Sequence, residues 1–272
     1  MSSPKNFKNV KEDSQLNTTR RKIALVLEYE GSRYKGSQSQ PNRPTILGNL
    51  DSALEKLTGE SIKTIAAGRT DTGVHAKGQV ASFETSAEIM QESLMSALNH
   101  LLPGDIRVIA AQVVPASFDA RRSASRRVYE YVISNTPQVS AFQNAFVYHV
   151  PRPLDIEAMK IAARALIGKH DFKAFSGSLV KGHTTVRTVI NFSVRKIGHN
   201  LIFRVEANAF LPHQVRRMVA ALLDVGSGKK TRHDIENLLK TGRLGSAQRS
   251  VPPNGLYLAK VKYDGFKIRE KV

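Results

Sequence analysis

The spacing of apolar residues alternates between strand-like and helix-like segments, and this alternation limits the folds open to the chain more than any other feature. Side chains on one face recur every second residue in a strand and about every 3.6 residues in a helix. In the first half, strands are predicted at 22–29, 61–67, 79–84 and 105–114, and helices at 46–57 and 88–102. The resulting order, β-α-β-β-α-β, is that of a ferredoxin-like unit.

The second half follows the same order without repeating the residues. Its predicted strands are 127–134, 186–195, 201–207 and 255–263, and its predicted helices are 155–167, 211–225 and 231–240. We therefore predict an α+β protein in which two ferredoxin-like halves form one extended, mostly antiparallel sheet, with helices on one side and a basic cleft. The halves are placed at 21–115 and 116–272, after a disordered basic arm at 1–20.

An excess of positive charge indicates a polyanionic partner. The chain has 41 Lys and Arg residues against 23 Asp and Glu, a net charge of +18 with His neutral. Residues 1–22 hold six of the basic and two of the acidic residues, so most of the excess belongs to the folded part. Because Lys and Arg displace counterions from phosphates, we expect a nucleic acid partner. The alternative is a protein that is basic without such a partner.

Composition also excludes several classes of protein. The chain has no cysteine, which excludes disulfides, thiolate nucleophiles and cysteine-bound zinc. No apolar stretch approaches the roughly 18 residues of a membrane span, and no signal peptide is recognisable at the start. We therefore expect a cytoplasmic protein that does not bind a membrane.

The segment 66–77, AAGRTDTGVHAK, is the most unusual part of the chain. It joins two predicted strands by a polar loop, and loops on a rigid sheet often carry catalytic groups. Arg69 and Asp71 are two residues apart, so in an extended segment they would share a side and could pair. The alternative is an ordinary turn with a structural ion pair. His75 is expected to make structural hydrogen bonds only.

Asp71-Thr72-Gly73 also matches the D-T-G triplet of aspartic proteases. Those enzymes need two opposed carboxylates that share one proton. This chain has one such triplet, which follows polar residues where a protease has an apolar strand. A high positive charge offers a protease no evident advantage, and we disfavour this interpretation.

The longer string favours a different family. Residues 68–76, GRTDTGVHA, resemble the G-R-T-D-x-G-V-H-A signature of the TruA-type tRNA pseudouridine synthases. The resemblance covers roughly residues 22–265. Four further segments are similar to motifs of that family: YEGSRYKGSQ at 29–38, SASRRVYEY at 123–131, FLPHQVRRMV at 210–219 and PPNGLYL at 252–258.

The resemblance implies an isomerase that converts uridines in the 3′ side of the tRNA anticodon arm, at tRNA positions 38–40, to pseudouridine. The reaction breaks the N-glycosidic bond, turns the uracil and rejoins it through C5, without a metal or other cofactor. The uridine has to be flipped out of its stacked arm to react. The resemblance also implies a homodimer with tRNA as its partner. A non-catalytic RNA-binding protein of the same fold is the alternative.

Five residues receive roles from the resemblance. Asp71 corresponds to the catalytic aspartate, and whether it attacks the base or the sugar stays open. Tyr129 corresponds to the active-site tyrosine, although its position equally suits sheet packing. Arg216 corresponds to the arginine that pairs with the aspartate, although it could instead extend its charge to solvent. Arg69 corresponds to the arginine that assists nucleotide extrusion, and Leu256 to the aliphatic residue that packs against the target base.

Three positions depart from the family pattern without removing any of these groups. The Trp of the opening motif is Ser37, and the chain has no Trp at all. The helix entry T-V-Q reads TIL at 45–47, and the Thr-Ala pair before the closing Pro-Pro reads Ser250-Val251. We expect the first two departures to affect how the RNA arm is held or which sites are chosen.

Overall fold

The computed structural model describes residues 20–178, 182, 184–266 and 268. Within these residues, ten strands form one mixed, mostly antiparallel sheet, accompanied by five α-helices. The strands are β1 (Arg21–Tyr29), β2 (Ile65–Ala66), β3 (His75–Thr85), β4 (Ile106–Val114), β5 (Ala124–Ser134), β6 (Tyr148–His149), β7 (Gly168–Asp171), β8 (Val186–Ile197), β9 (Asn200–Ala207) and β10 (Leu256–Tyr263). The helices are α1 (Ile46–Thr58), α2 (Gln91–Leu101), α3 (Ile156–Ala165), α4 (Gln214–Gly226) and α5 (Arg232–Thr241).

Helix α1 shows how local sequence sets the boundaries of an element. The hydroxyl of Thr45 accepts a hydrogen bond from the backbone N–H of Gly48, which caps the first turn. Gly59 ends the helix with a φ of 73°, a left-handed conformation that suits a residue without Cβ. The apolar side chains between these caps recur at helical spacing and are buried, namely Ile46, Leu47, Leu50, Ala53 and Leu54.

Several predicted boundaries were wrong where tertiary contacts override local pattern. The strand predicted at 61–67 shortens to β2, and β3 begins at His75 because β10 pairs with it there. Gly168 was predicted to end a helix, but it begins β7, which pairs with the edge of β8. The short strand β6 was not predicted at all.

The last strand joins the two halves of the sheet. The order of the main strands is β4-β1-β3-β10-β5-β9-β8-β7. Strand β10 pairs antiparallel with β5, where Leu258 opposes Tyr129, and parallel with β3, where Tyr257 opposes His75. The short β2 leaves this end of β3 free to accept β10. The predicted α+β class with one extended, mostly antiparallel sheet is confirmed.

Three further predictions concern the division into two units, the N-terminal arm and the absence of a membrane span. The division into units at 21–115 and 116–272 stays a prediction. Of the arm predicted at 1–20, only Arg20 lies within the described residues. No helix in the described part of the chain is long and apolar enough to cross a membrane.

Candidate active site

The loop that carries Asp71 runs between β2 and β3, and buried hydrogen bonds hold it from one side. The hydroxyls of Tyr29 and Thr70 share a hydrogen bond of 2.8 Å. Ser37 binds the backbone of Thr70 twice, because its Oγ accepts from Thr70 N–H at 2.9 Å and its own N–H donates to Thr70 O at 3.1 Å. The residue immediately before Asp71 is therefore attached to both β1 and the segment that follows β1.

Two glycines of the opening motif allow this close approach. A Cβ on Gly31 would lie 2.0 Å from the carbonyl oxygen of Val74. A Cβ on Gly36, which has a φ of 90°, would lie 2.8 Å from the carbonyl oxygen of Thr70. Since such contacts are impossible for a side chain, the motif at 29–38 needs glycine at both positions to pack against the Asp71 loop.

The Asp71 carboxylate faces the start of helix α4. Its Oδ2 lies 3.5 Å from Arg216 Nη1 and 3.7 Å from His213 Nε2, and the carboxylate is 38% exposed. Arg216 is mostly buried, and its Nε donates a hydrogen bond of 2.7 Å to the carbonyl oxygen of Val251. The guanidinium is thus fixed at one edge by the residue that precedes the segment 252–258, while its other edge faces Asp71.

Arg69 does not form the pair with Asp71 that an extended segment would allow, whereas Arg216, which the resemblance pairs with the aspartate, lies beside it. Among the described residues, Asp71 pairs with Arg216, and the His213 imidazole also approaches it. The chain turns directly after Asp71, with Val74 N–H bound to Asp71 O, and the carboxylate is directed to α4. The Arg69 side chain is exposed and makes no hydrogen bond or ion pair with a described residue.

Tyr129 and Leu256 lie on neighbouring strands beside this loop. Both are buried, and both line the same cleft as Asp71. The Tyr129 ring packs edge-on against Phe210 with centroids 5.2 Å apart. Burial raises the pKa of the Tyr129 hydroxyl, and the nearby Tyr29 and Asp71 raise it further. Tyr129 is therefore a neutral phenol that keeps its proton at neutral pH.

The cleft around these residues is basic. Its volume is about 820 Å³, and it is also lined by Arg69, the predicted extrusion residue. Asp71 is the single carboxylate among the described residues that line it, whereas its arginines are Arg69, Arg121, Arg127, Arg187 and Arg216. A groove with such a charge balance suits a phosphate backbone.

Comparison with known proteins decides the family. A family model described as tRNA pseudouridine synthase matches residues 25–123 and 162–264. A tRNA pseudouridine synthase A of Thermoanaerobacter sp. (strain X514) is 42% identical over 243 residues, which cover 89% of this chain and all of that protein. The chain belongs to the tRNA pseudouridine synthase family. The enzyme is therefore an isomerase, as predicted.

Further relatives of the enzyme carry the same name. The tRNA pseudouridine synthase A of Caldicellulosiruptor bescii is 40% identical over 243 residues, covering 89% of this chain and 100% of that protein. That of Halalkalibacterium halodurans is 39% identical over 237 residues, covering 87% of this chain and 90% of that protein. The similarity thus extends through both halves of the sheet.

Sequence reasoning gave no role to three side chains that shape the site of the enzyme. His213 approaches Asp71, and Ser37 fixes Thr70, as described above. Arg127 donates hydrogen bonds to the carbonyl oxygens of Ala67, Arg121, Ala124 and Asn208, and burial lowers its pKa. Arg127 lies in the segment SASRRVYEY at 123–131, which resembles a family motif, so its position carried a signal. His213 had no comparable signal.

His75 in the enzyme makes structural hydrogen bonds, as predicted. Its Nδ1 accepts from Gly31 N–H at 3.1 Å, so its Nε2 carries the proton and donates to the carbonyl oxygen of Asn254 at 3.1 Å. Burial lowers the pKa of His75, and its ring stacks on Tyr257 with centroids 4.9 Å apart. The neutral imidazole therefore links the opening motif to the closing one.

Proposed function

We propose that the enzyme isomerises uridines in the 3′ side of the tRNA anticodon arm to pseudouridine, with Asp71 as its catalytic carboxylate. The observation that carries this proposal is the position of Asp71, a lone carboxylate in a cleft lined by five arginines. Relatives named for tRNA support the substrate class. The choice of the anticodon arm, a homodimeric assembly and a cytoplasmic location rest on the family resemblance described above.

Arg216 compensates the charge of the proposed nucleophile. Its Nη1 lies 3.5 Å from Asp71 Oδ2, and its hydrogen bond to Val251 O prevents the guanidinium from swinging away. A carboxylate that is held in one orientation can attack without first losing conformational freedom. Arg216 thus acts as a positioning partner of Asp71 and as part of the positive lining of the cleft.

Tyr129 and Leu256 provide the surface for the target base. The Tyr129 hydroxyl makes no hydrogen bond with any described residue, so it is available to a ligand in the cleft. Because its raised pKa keeps it protonated, it can donate a hydrogen bond to the uracil, and it can take the proton that leaves C5 on rejoining only if it passes its own proton to water at the same time. Leu256 adds an apolar contact that favours a flat ring.

Arg69 is the residue that we assign to extrusion of the nucleotide. Its guanidinium is exposed, lines the cleft and is not engaged by another described side chain. A flipped uridine leaves a gap in the stacked arm, and a planar cation can fill it while it contacts phosphates. This role requires a guanidinium whose charge is not already paired with a carboxylate.

Tritium release from tRNA labelled at uridine C5 tests the proposal. Wild-type enzyme is expected to release tritium, Asp71→Asn to release none, and Glu28→Gln, an exposed position on β1, to match wild type. Transcripts with cytidine in place of the uridines in the 3′ side of the anticodon arm should lose the release. Release that persists with those transcripts would contradict the assigned position. Tight tRNA binding without any release would instead indicate a non-catalytic RNA-binding protein.

A further inference from the structure

His213 lies in an unusual backbone conformation at the active site. It precedes helix α4 with a φ of 61°, a left-handed conformation that residues with a Cβ rarely adopt. Its side chain makes no capping hydrogen bond to the helix. Instead, the imidazole extends into the cleft, where Nε2 lies 3.7 Å from Asp71 Oδ2. Strained backbone of this kind is concentrated at functional sites.

A glycine from a separate segment makes room for the imidazole. Gly177 N–H donates a hydrogen bond of 2.8 Å to the carbonyl oxygen of Pro212, which brings its backbone against His213. A Cβ at position 177 would lie 3.0 Å from His213 Cγ and 3.1 Å from its Nδ1. The ring is therefore confined on one side by Gly177 and faces Asp71 on the other.

The two partners of Asp71 approach the same carboxylate oxygen. Arg216 Nη1 and His213 Nε2 lie 3.5 Å and 3.7 Å from Oδ2, and neither contact is short enough for a hydrogen bond. Two contacts restrict rotation of the carboxylate more than one contact does. With the charge contacts on Oδ2, Oδ1 is the oxygen that can meet a substrate in the cleft.

We propose that His213 is a positioning residue that, together with Arg216, orients the Asp71 carboxylate through Oδ2 so that Oδ1 faces the flipped uridine. The inference rests on the proposed function of Asp71. At 3.7 Å the contact is longer than a hydrogen bond, and catalytic contacts of this kind shorten when substrate fills the site. His213 contributes orientation, and Gly177 sets the position of its ring.

Two substitutions at position 213 separate orientation from folding. Asparagine tolerates a positive φ and is a favourable residue before a helix, but its amide is too short to reach Asp71. We expect His213→Asn to lower kcat about tenfold with KM within about twofold of wild type. Glutamine places an amide N–H close to the position of Nε2, so His213→Gln should recover part of the lost kcat.

A double-mutant cycle tests the contact between the ring and the glycine. Gly177→Ala should lower kcat about threefold in the wild-type background, because the new Cβ displaces the imidazole. In the His213→Asn background the same change should have no further effect on kcat. Equal losses in both backgrounds would overturn the proposed link between Gly177 and His213.

The outcomes distinguish this inference from the proposed function. If wild-type enzyme releases no tritium from any tRNA, the proposed function itself fails. If wild type is active and Asp71→Asn is inactive, but His213→Asn keeps the wild-type kcat, only the role of His213 is refuted. The circular dichroism melting curve of each variant should match that of wild type, and a change confined to KM would also overturn the inference.

Discussion

The two faces of the central sheet are both rich in basic side chains, yet they differ in how those charges are paired. On the face opposite the cleft, Glu130 binds Lys77 and Arg204, and Glu206 binds Arg126 and Lys262. Neighbouring residues of a strand point to opposite faces, so Glu130 lies across the sheet from Tyr129. The cleft is lined by five arginines and, among the described residues, by the single carboxylate of Asp71, which pairs with Arg216 alone of the five.

This difference teaches that the number of basic residues does not by itself identify an RNA-binding surface. Cations that already neutralise a carboxylate have little to gain from a phosphate, whereas unengaged guanidinium groups such as Arg69 are free to bind one. The comparison predicts that equivalent substitutions on the two faces will have very different effects on kcat and on tRNA binding.

The largest expected difference is between the carboxylate of Asp71 in the cleft and that of Glu206 on the opposite face. Asp71→Asn should lower kcat by about a thousandfold or more, because a neutral amide cannot act as the nucleophile. Glu206→Gln, on the other face, should leave kcat unchanged. Single-turnover tritium release measures both. An effect of Glu206→Gln close to that of Asp71→Asn would remove the distinction between the faces.

The next effect concerns two arginines that pair with carboxylates. Arg216→Lys should lower kcat on the order of tenfold to a hundredfold, because lysine cannot contact Val251 O and Asp71 with one planar group. Arg204→Lys keeps a charge beside Glu130 and should leave kcat unchanged. Steady-state kinetics at saturating tRNA checks the pair, and similar losses for both would contradict the assigned geometry.

A smaller effect concerns binding. Arg69→Ala should weaken tRNA binding and reduce the slope of log K against log salt by about 1, because one phosphate contact is lost. Arg126→Ala should change neither quantity, because Arg126 is already paired with Glu206. Filter binding over a range of KCl concentrations measures the slopes. A reduced slope for Arg126→Ala would show that the opposite face also binds RNA.

The smallest effect is on stability and concerns the paired face alone. Burial acts to raise the pKa of Glu206, but hydrogen bonds and charges from Lys262 and Arg126 outweigh it and lower the pKa. A lowered pKa in the folded state stabilises the protein above the unfolded pKa of about 4.3, and this contribution disappears as the pH falls through the folded value. Glu206→Gln should therefore lower the free energy of unfolding at pH 7 and lose that difference at acid pH, as measured by urea unfolding.

The order of the helices and strands could be predicted because local pattern determines it. The caps Thr45 and Gly59 and the apolar face of α1 are properties of neighbouring residues, and the prediction there was accurate. The prediction shortened β3, whose first residues pair with the distant β10, and it missed β6 and β7, which are only two and four residues long. Hydrogen bonds between strands depend on the register of the sheet, which no local pattern specifies.

The sequence by itself determined the fold class, the charge excess and the family, through the string at 68–76 and the motifs around it. The family resemblance already paired Arg216 with Asp71, but only the tertiary structure decided the other contacts of this carboxylate. It directed the carboxylate to Arg216 and His213 rather than to Arg69, and it placed β10 between β3 and β5. The physical reason is that packing of the whole sheet brings residues that are far apart in the chain within a few ångströms of each other. Whether two side chains interact then depends on their positions in the fold and not on their spacing in the sequence.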